Sequence, residues 1–334
     1  MAGNEAAQGG PAPRVIALQA QHAGERLDLF LTAELGLSRG QVRRLLERGA
    51  VRLDGVGLAL RDKGLSLPTE GQIEVDPFQS AGHERIPAPE HVAPMLLAEG
   101  PGWLAVDKPP GRPVHPLRAD ESETVLGHLV ERWPQIQGVG EGGLRSGVVH
   151  RLDVETSGVQ LVATSAEVWA RLRAGFSEHR VEKTYRALIA GRLETGSIED
   201  GALRMECALV VAQHRPARVR VARPEEVERG RSRWVRQSVR TLELLGDATL
   251  VEVRPETGFL HQIRATLADL GHPLLGDRRY ADPATVARAP RHMLHASRIV
   301  FEEIDVRAPD APDFARVLDG LRDESGLVSA PELS

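Results

Sequence analysis

The segment from 147 to 163, GVVHRLDVETSGVQLVA, most strongly constrains the fold, because it sets polar and charged residues between two apolar β-forming runs. The flanks, 148–149 and 159–163, are rich in valine, and we predict a strand on each side. The polar residues are then expected on a tight connection at a strand edge. A rigid scaffold that holds polar side chains in this way commonly uses them for binding or catalysis.

Length and composition predict a folded chain with one large and one small domain. The 334 residues exceed one ordinary small domain, and 41% hydrophobic with 27% charged residues is typical of globular proteins. Shifts in composition predict five segments, namely a disordered tail (1–12), a small domain (13–79), a linker (80–90), a large domain (91–325) and a C-terminal tail (326–334).

Targeting and charge features narrow the class of protein. The N-terminal MAGNEAAQGGPAP lacks the basic start and apolar middle of a signal peptide, and no apolar run is long enough to cross a membrane. The single cysteine, Cys207, excludes an internal disulfide and a cysteine-rich zinc site. We expect a cytoplasmic, monomeric protein with no membrane contact. A net charge of -5 excludes a chain that is basic throughout but allows a local basic patch.

The large domain is predicted to be α+β. Short β-branched runs alternate with a few helical stretches, which favours a mixed, largely antiparallel central sheet with flanking helices. SAEVWARLRAGFSEH is predicted to form an amphipathic helix. VEKTYRALIAG after it is predicted to form a strand with Lys183, Tyr185 and Ala187 on one side. In ARVRVARP, Arg218 and Arg220 share a face, and a solvated edge strand is favoured over a surface whose arginines contact RNA phosphates.

A short basic helix is predicted in the small domain, within LSRGQVRRLLERGAVRLDG. Ser38 is placed to cap its start, three apolar residues face inward, and Gly49 supplies its end. Asp54 and Gly55 are predicted turn residues between short strands. The outward face carries four arginines, which are Arg39, Arg43, Arg44 and Arg48. Charge alone leaves open whether this face binds phosphates or is merely solvated.

Other chemical motifs lack the context that they need. GVGEGG at 138–143 matches a dinucleotide-binding pattern, but no clear strand precedes it and no helix follows. Ser146 and Ser157 lack the strand-elbow-helix setting of a hydrolase nucleophile. The histidines at 261, 272, 292 and 295 show no metal-binding spacing, so structural or RNA-contacting roles are favoured. We therefore expect no cofactor and no metal.

Three segments together resemble the motifs of a known family. They are DKPPGRPVHP (107–116), HRLDVETSG (150–158) and TGFLHQIRATLADLGHPLLGD (257–277), with KTYRA and LHA in the expected order. In this respect the chain resembles the RluA-type pseudouridine synthases, which convert uridine in RNA to pseudouridine. The segment GERLDLFLTAELGLSRGQVRRLLERGAVRLDG resembles the alpha-L RNA-binding motif. This implies RNA contact by the basic helix, in keeping with phosphate binding by arginine.

The resemblance implies a catalytic set. Asp153 takes the position of the family's catalytic aspartate, Arg264 that of the arginine that pairs with it, and Tyr185 that of the tyrosine that stacks on the target uracil. A carboxylate can stabilise or attack a sugar centre as its base departs. Attack on C1′, attack on the base and removal of a sugar proton all remain open. From the residues alone, a turn cap is the favoured explanation of Asp153, because local hydrogen bonding by Asp, Ser and Thr is common.

Further substrate contacts are implied by the same motifs. Arg151 resembles the residue that enters the space vacated by the base. The expected substrate-binding residues are His150, Arg151, Thr156, Ser157, His261, Gln262, Ile263 and Leu294. One departure concerns Phe259 and Leu260, which stand where relatives commonly have Arg and Thr, and which put substrate placement in doubt more than the chemistry.

The substrate is expected to be RNA. Ribosomal RNA of the large subunit is favoured over transfer RNA, because the implied RNA-binding module is less common in relatives that act on transfer RNA. A ribosome-assembly factor that binds RNA without catalysis is an alternative, as is a hydrolase of glycosidic bonds. The hydrolase needs a second carboxylate to activate water, and none is evident near Asp153.

Overall fold

The computed structural model describes residues 13–37, 39–77, 85–87, 89, 93–195, 201–214 and 216–326. The chain divides into two compact units, one within Met1–Arg85 together with Glu141–Leu144, the other within Ile86–Gly140 and Arg145–Ser334. The first boundary falls inside the predicted linker. Ile86 is buried in a core cluster of the second unit, so its side chain has a structural role there.

The described part of the first unit combines two α-helices with a four-stranded sheet. Its strands are β1 (Arg14–Leu18), β2 (Val51–Leu53), β3 (Val56–Leu58) and β4 (Gly71–Val75), and its helices are α1 (Leu27–Leu35) and α2 (Arg39–Glu47). The strands pair antiparallel in the order β1-β4-β2-β3. Asp54 and Gly55 form the β2–β3 turn with φ values of 50° and 80°. Positive φ at both positions is what a two-residue hairpin requires, as the sequence predicted.

Helix α2 has the predicted amphipathic arrangement. Its inward apolar residues, Val42, Leu45 and Leu46, are buried in the core of the first unit. Gly49 follows the helix with a φ of 68°, which fits its predicted place at the helix end. The predicted cap, Ser38, lies outside the described residues.

The four arginines of the basic face differ in their contacts. Arg39, Arg43 and Arg48 are exposed and Arg44 is half-buried. Arg43 pairs with Glu47 at 2.8 Å. Arg48 donates to a backbone carbonyl at 3.2 Å. The face is therefore basic but partly engaged with its own unit.

The second unit is built on a sheet that contains ten strands among its described residues. These are β5 (Met95–Gly100), β6 (Trp103–Lys108), β7 (Ser157–Ala163), β8 (Glu182–Ala190), β9 (Leu203–His214), β10 (Ala217–Val221), β11 (Arg233–Leu245), β12 (Ala248–Pro255), β13 (Leu294–Phe301) and β14 (Ile304–Arg307). The helices are α3 (Val125–Arg132), α4 (Ala166–Ser177), α5 (Pro224–Glu228), α6 (Gln262–Asp269), α7 (Pro283–Ala287) and α8 (Pro312–Glu324).

The sheet is mixed and largely antiparallel, as predicted. Its order is β10-β9-β11-β12-β8-β13-β7-β6-β5, with β14 paired to β13. The β13–β7 pair is parallel, and the other described pairs are antiparallel. Apolar side chains from the sheet and from the helices α3, α4, α6 and α8 form separate core clusters. The α+β assignment is therefore confirmed.

Two strand predictions have different outcomes. β7 covers the predicted strand at 159–163, but Val148 forms only an isolated bridge with Val162. The prediction of a strand at 148–149 is thus wrong, because a single pairing does not extend into a ladder. β10 lies at the sheet edge, where Arg220 pairs with Glu226 at 2.8 Å. The edge-strand interpretation of ARVRVARP is confirmed.

Helix α4 begins after Ser165, whose hydroxyl accepts the N–H of Val168 at 3.3 Å. The glycine-rich segment from 138 follows a short 3-10 turn and leads into another. It therefore lacks the strand and helix that a dinucleotide site needs. Within the described part of the chain, no helix is both long and apolar enough to span a membrane.

Candidate active site

Asp153 lies on the connection into β7, and two donors fix this connection. Lys108, at the end of β6, has no exposed surface, and its Nζ donates to the carbonyl of Val154 at 2.8 Å. The N–H of Gly111 donates to the same carbonyl at 2.9 Å. The N–H of Thr156 donates to the carbonyl of Asp153 at 3.0 Å, closing a tight turn. The first predicted motif segment thus holds the backbone that carries Asp153.

Arg264 connects Asp153 to a second carboxylate. Its Nη1 donates to Asp153 Oδ2 at 2.8 Å, while its Nε and Nη2 donate to the two oxygens of Asp277, each at 2.8 Å. The Asp277 side chain has no exposed surface, and that of Arg264 is 6% exposed. Because a bidentate pair fixes the guanidinium plane, Arg264 presents Nη1 in one place. The Asp153 side chain therefore pairs with Arg264 and is not a turn cap.

The environment of Asp153 favours its ionised form. Burial favours the neutral acid, but His261 and the hydrogen-bonded Arg264 outweigh it, so the pKa of Asp153 lies below its ordinary value. Burial lowers the pKa of His261 itself, so the permanent positive charge beside Asp153 is that of Arg264. Asp153 is thus a carboxylate at neutral pH. No hydrogen bond from the described residues reaches its Oδ1.

Tyr280, a residue that the sequence analysis did not single out, holds His261. The N–H of Val219 donates to Tyr280 Oη at 2.9 Å, and Tyr280 Oη lies 2.9 Å from His261 Nδ1. A hydroxyl that accepts one bond can donate another, so Tyr280 can donate to Nδ1 and leave the imidazole hydrogen on Nε2. His261 Nε2 lies 3.9 Å from Asp153 Oδ2. His261 and Arg264 therefore face the same carboxylate oxygen.

A cavity of about 520 Å³ adjoins Asp153; we call it the Tyr185 cavity. Tyr185, Ile263 and Leu294 line it, as does Asp153, which is the only acidic residue among the described lining residues. The register of β8 with β13 pairs Tyr185 with Ala296 and Ala187 with Leu294, which makes Tyr185 and Leu294 diagonal neighbours in the sheet. An aromatic ring and apolar side chains beside a carboxylate suit a flat heterocyclic base.

Tyr185 is a neutral phenol at neutral pH. Burial, and then the negative charge of Asp153, raise its pKa well above its ordinary value. Within the described part of the chain its hydroxyl has no hydrogen-bond partner. Tyr185 thus offers a ring face and a free hydroxyl to whatever occupies the cavity.

His150 and Arg151 both line the Tyr185 cavity. His150 Nε2 accepts the N–H of Leu161 at 2.9 Å, and its ring stacks on Phe176 at 4.7 Å. Burial, and then Lys183, lower the pKa of His150 to about 3, so it is neutral. Arg151 is exposed, which leaves its guanidinium accessible to a ligand.

Thr156 and Ser157 have mainly structural contacts. Thr156 is buried and bonds to His292 at 2.9 Å, although it also lines the cavity. Ser157 is 1% exposed; its hydroxyl accepts from Arg291 Nη2 at 3.0 Å and lies 2.9 Å from His295 Nδ1. Ser157 does not line the Tyr185 cavity. The structure therefore separates it from the other predicted substrate contacts.

Gln262 is buried at the wall of the cavity, and its side chain bonds to neighbouring protein groups. It is 4% exposed; its Nε2 donates to the carbonyl of Arg236 at 3.1 Å, and its Oε1 accepts from Thr257 Oγ1 at 3.0 Å. Phe259 and Leu260 line the cavity and are partly buried against an apolar cluster. They place apolar side chains where the family resemblance leads us to expect Arg and Thr.

Two glycines make the close approaches that assemble the site. Gly158 has a φ of 109°, and an added Cβ would lie 2.2 Å from the carbonyl oxygen of Ala296. Gly276 has a φ of 75°, and its added Cβ would lie 1.9 Å from the carbonyl oxygen of Arg291. Only glycine fits either position without a backbone shift. Gly158 brings β7 beside β13, and Gly276 precedes Asp277.

The histidines considered as metal ligands have other partners. His261 contacts Tyr280, His272 the carbonyl of Ala190, His292 Thr156 and His295 Ser157. Among the described residues, no group of three or more His, Cys, Asp or Glu is arranged to hold a metal ion.

Sequence reasoning missed three residues that organise the site. Lys108 and Asp277 lie inside the quoted motif segments, and a charged residue within an apolar or glycine-containing stretch was the available signal for both. Tyr280 follows three residues after Asp277, and nothing in the local pattern marks it. Its contact with His261 depends on the turn after Gly276.

Comparison with known proteins places the chain in a family. Residues 102–269 match the family model described as RNA pseudouridylate synthase. An uncharacterized RNA pseudouridine synthase of Chloroflexus aurantiacus is 33% identical over 85% of this chain and 84% of its own length. The ribosomal large subunit pseudouridine synthase D of Nitrosomonas europaea is 34% identical over 82% of this chain and 76% of its own.

A solved structure shows the same fold. The human RNA pseudouridylate synthase domain containing 1 superimposes with a TM-score of 0.54 at 24% identity, covering 73% of this chain and 99% of that one. The sheet, the cavity and the sequence matches thus agree with the resemblance to the RluA type. The chain belongs to the RNA pseudouridylate synthase family and is an isomerase that converts uridine in RNA to pseudouridine.

Proposed function

We propose that this enzyme modifies uridine in large-subunit ribosomal RNA and that Asp153 is its reacting carboxylate. The observation that carries the proposal is the placement of Asp153, ion-paired with Arg264 at 2.8 Å, beside the cavity that Tyr185 lines. The reaction breaks the N1–C1′ bond, turns the detached uracil and joins C5 to C1′. The C5 proton is lost and a proton is gained at N1, so the composition of the RNA is unchanged.

The two carboxylate oxygens of Asp153 differ in their contacts. Oδ2 accepts from Arg264 and faces His261, whereas Oδ1 has no hydrogen bond from the described residues. Oδ1 is therefore the oxygen available to the sugar or the base. The lowered pKa keeps it ionised, so no proton has to leave before it acts. Arg264 and Asp277 hold the carboxylate in place but do not themselves have to react.

We assign to Tyr185 the binding of the target uracil. Its ring offers a stacking platform for an extracted uracil. Because its raised pKa keeps the phenol protonated, the hydroxyl can take the C5 proton only if it gives up its own at the same time. Ile263 and Leu294 supply apolar surface that retains free uracil between bond cleavage and rejoining.

The assignment to ribosomal RNA is supported by two observations. Several relatives at 30–34% identity carry the name ribosomal large subunit pseudouridine synthase D. The first unit places four arginines on or beside α2, as expected of an alpha-L RNA-binding module. A monomeric, cytoplasmic enzyme that needs no cofactor or metal fits this proposal.

Mapping of pseudouridine tests the reaction and the substrate. The protein and its Asp153→Asn variant are incubated with unmodified ribosomal RNA and with transfer RNA, and pseudouridine is located by carbodiimide labelling and primer extension. We expect stops on large-subunit ribosomal RNA with the unaltered protein only. Primer-extension stops on transfer RNA alone would overturn the assignment of the substrate. Stops produced by Asp153→Asn would overturn the assignment of Asp153 as the reacting carboxylate.

The alternative reactions give different products. Release of free uracil during turnover would indicate a hydrolase, although the described lining of the Tyr185 cavity offers no second carboxylate to activate water. Tight binding of ribosomal RNA without any stop would favour an assembly factor.

The basic helix is tested separately by a salt titration of RNA binding. Replacing both Arg43 and Arg44 by alanine is expected to weaken binding and to lower the salt dependence by up to about two ion equivalents. Unchanged affinity and unchanged salt dependence would show that α2 is not a phosphate contact.

A further inference from the structure

A second cavity, of about 560 Å³, adjoins the same carboxylate. Arg278 lines it, and we call it the Arg278 cavity. Asp153, His261 and Arg264 line both cavities, as do Arg151 and Leu152. The carboxylate and its partners therefore form the boundary between the two cavities.

The two cavities differ in chemistry. Tyr185, Phe176 and Phe259 line the first, whereas no Phe, Tyr or Trp is among the described residues that line the Arg278 cavity. Two acidic residues, Asp153 and Glu155, line the Arg278 cavity. Five arginines line it, namely Arg151, Arg264, Arg278, Arg279 and Arg291. Its lining therefore favours an anion over a stacked base.

Three of these arginines are committed to the protein. Arg264 is ion-paired with two aspartates, Arg291 donates to Asp313 at 2.7 and 3.0 Å, and Arg279 donates to a backbone carbonyl. Arg151 and Arg278 are exposed, and within the described part of the chain neither has an ion pair or a side-chain hydrogen bond. They are the guanidinium groups of the cavity that can bind a ligand without breaking an internal bond.

The histidines of the cavity do not add charge at neutral pH. Burial, and then Arg145 and Arg151, lower the pKa of His115 to about 4. Burial, and then Arg264, lower the pKa of His292 to about 3. Both are neutral hydrogen-bonding groups at pH 7. The anion-binding capacity therefore rests on the arginines.

The geometry of RNA connects the two cavities. Each ribose carries a phosphodiester on either side, and the reaction requires C1′ of the target next to Asp153. When the base fills the Tyr185 cavity, the backbone has to leave along the boundary that holds Asp153. We propose that the Arg278 cavity binds a phosphodiester flanking the target uridine, with Arg278 as its principal donor. This inference rests on the proposed function.

The first test compares Arg278→Ala with Arg278→Lys and with Arg307→Ala. Arg307 is an exposed arginine of β14 that lines neither cavity, so it controls for loss of surface charge. The probe is the RNA in which mapping locates pseudouridine. Arg278→Ala is expected to raise the Kd for this RNA and its KM about tenfold and to lower the salt slope by about one.

Arg278→Lys is expected to recover most of the salt slope, because lysine can contact phosphate as a point charge. Arg307→Ala is expected to leave Kd within about twofold of the unaltered protein, in line with a screened surface charge. Equal effects of Arg278→Ala and Arg307→Ala would overturn the proposal, since the loss would then be general electrostatics.

The second test identifies the phosphate. Short RNAs carry one uncharged methylphosphonate at a time, on either side of the target uridine. One neutralised phosphate is expected to weaken binding to the unaltered protein as much as Arg278→Ala does and to have little further effect on that variant. Additive losses at every position would overturn the pairing. A loss that follows removal of the neighbouring base would assign the cavity to a base.

These outcomes are distinct from failure of the proposed function. If the unaltered protein forms no pseudouridine in any RNA, the reaction assignment fails whatever Arg278 does. If it forms pseudouridine and Arg278→Ala has the Kd and salt slope of the unaltered protein, only the phosphate site fails.

Discussion

Neutralising Asp277 is expected to cost both stability and activity, because Asp277 holds Arg264 in a buried bidentate pair. In Asp277→Asn, one amide N–H₂ replaces a carboxylate oxygen and meets a guanidinium donor instead of accepting from it. Breaking a buried ion pair on one side costs roughly 3–5 kcal/mol. Asp153 loses its fixed partner as Arg264 reorients, so kcat/KM is expected to fall about a hundredfold, which corresponds to a misplaced reacting group.

The assay is urea unfolding, monitored by tryptophan fluorescence. All four tryptophans, Trp103, Trp133, Trp169 and Trp234, lie in the second unit, so their fluorescence reports on the unit that contains the site. Activity is measured at urea concentrations below those at which the variant begins to unfold. The two measurements separate loss of folded protein from misplacement of Arg264.

Glu243→Gln is the matched control. Glu243 accepts from Arg322 Nε and Nη2 at 3.0 and 2.8 Å, a similar two-point pair in which both side chains are about a quarter exposed. Solvent screens this pair, so its loss is expected to cost much less stability and no activity. Equal stability losses for Asp277→Asn and Glu243→Gln, with activity retained in both, would refute the reasoning from burial.

The stability difference between the unaltered protein and Asp277→Asn is also expected to depend on pH, in a direction that follows from the pKa of Asp277. Burial raises the pKa of Asp277, but the hydrogen bonds and charge of Arg264 outweigh it, so the folded-state pKa lies below the ordinary value. A depressed carboxyl pKa contributes stability above the unfolded pKa, and this contribution is lost as the pH falls through the folded pKa. The stability gap between the unaltered protein and Asp277→Asn is therefore expected to narrow below about pH 4. A gap that widened on acidification would contradict the assignment.

Three further changes have defined outcomes. Burial lowers the pKa of Lys108 to about 7. The free-energy cost of burying its charge is therefore present below pH 7 and is relieved as the pH rises toward the ordinary pKa of lysine. In urea unfolding, the unaltered protein is expected to gain stability relative to Lys108→Met, which cannot titrate or bond to Val154, as the pH rises from 7 to 10. Tyr280→Phe keeps the ring but removes the hydroxyl, so nitrogen NMR of labelled histidine is expected to show His261 shifting from the Nε2–H tautomer toward a mixture, and an unchanged spectrum would refute the hydrogen bond. Gly158→Ala places a Cβ 2.2 Å from a carbonyl of β13, so thermal unfolding is expected to show severe destabilisation, and a near-normal Tm would show that the two strands can separate at little cost.

The local pattern of the sequence determined several elements in advance. Helices α2 and α4 follow from apolar residues at helical spacing, and the β2–β3 turn follows from Asp54 and Gly55, which tolerate positive φ. The α+β class follows from short β-branched runs alternating with helical stretches. These features depend on interactions between residues close in the chain, so their signal lies within a few positions.

The identity of the reacting residues came from ordered motifs rather than from spacing. Asp153, Tyr185 and Arg264 lie 111 positions apart at their extremes, as the Asp153–Arg264 bond records. Composition and periodicity do not measure such distances. Without the resemblance, a turn cap was the favoured explanation of Asp153, and the Arg264 contact in the folded chain is the structural observation against it.

Tertiary structure alone decided how the site is supported. The Lys108 bond to Val154, the Arg264 pair with Asp277 and the Tyr280 contact with His261 all join separate segments. The absence of a strand at 148–149 has the same origin, since valine favours a strand but a ladder needs a partner along its length. The sequence by itself determined which residue types were available, and the long-range packing of the sheet decided which of them meet.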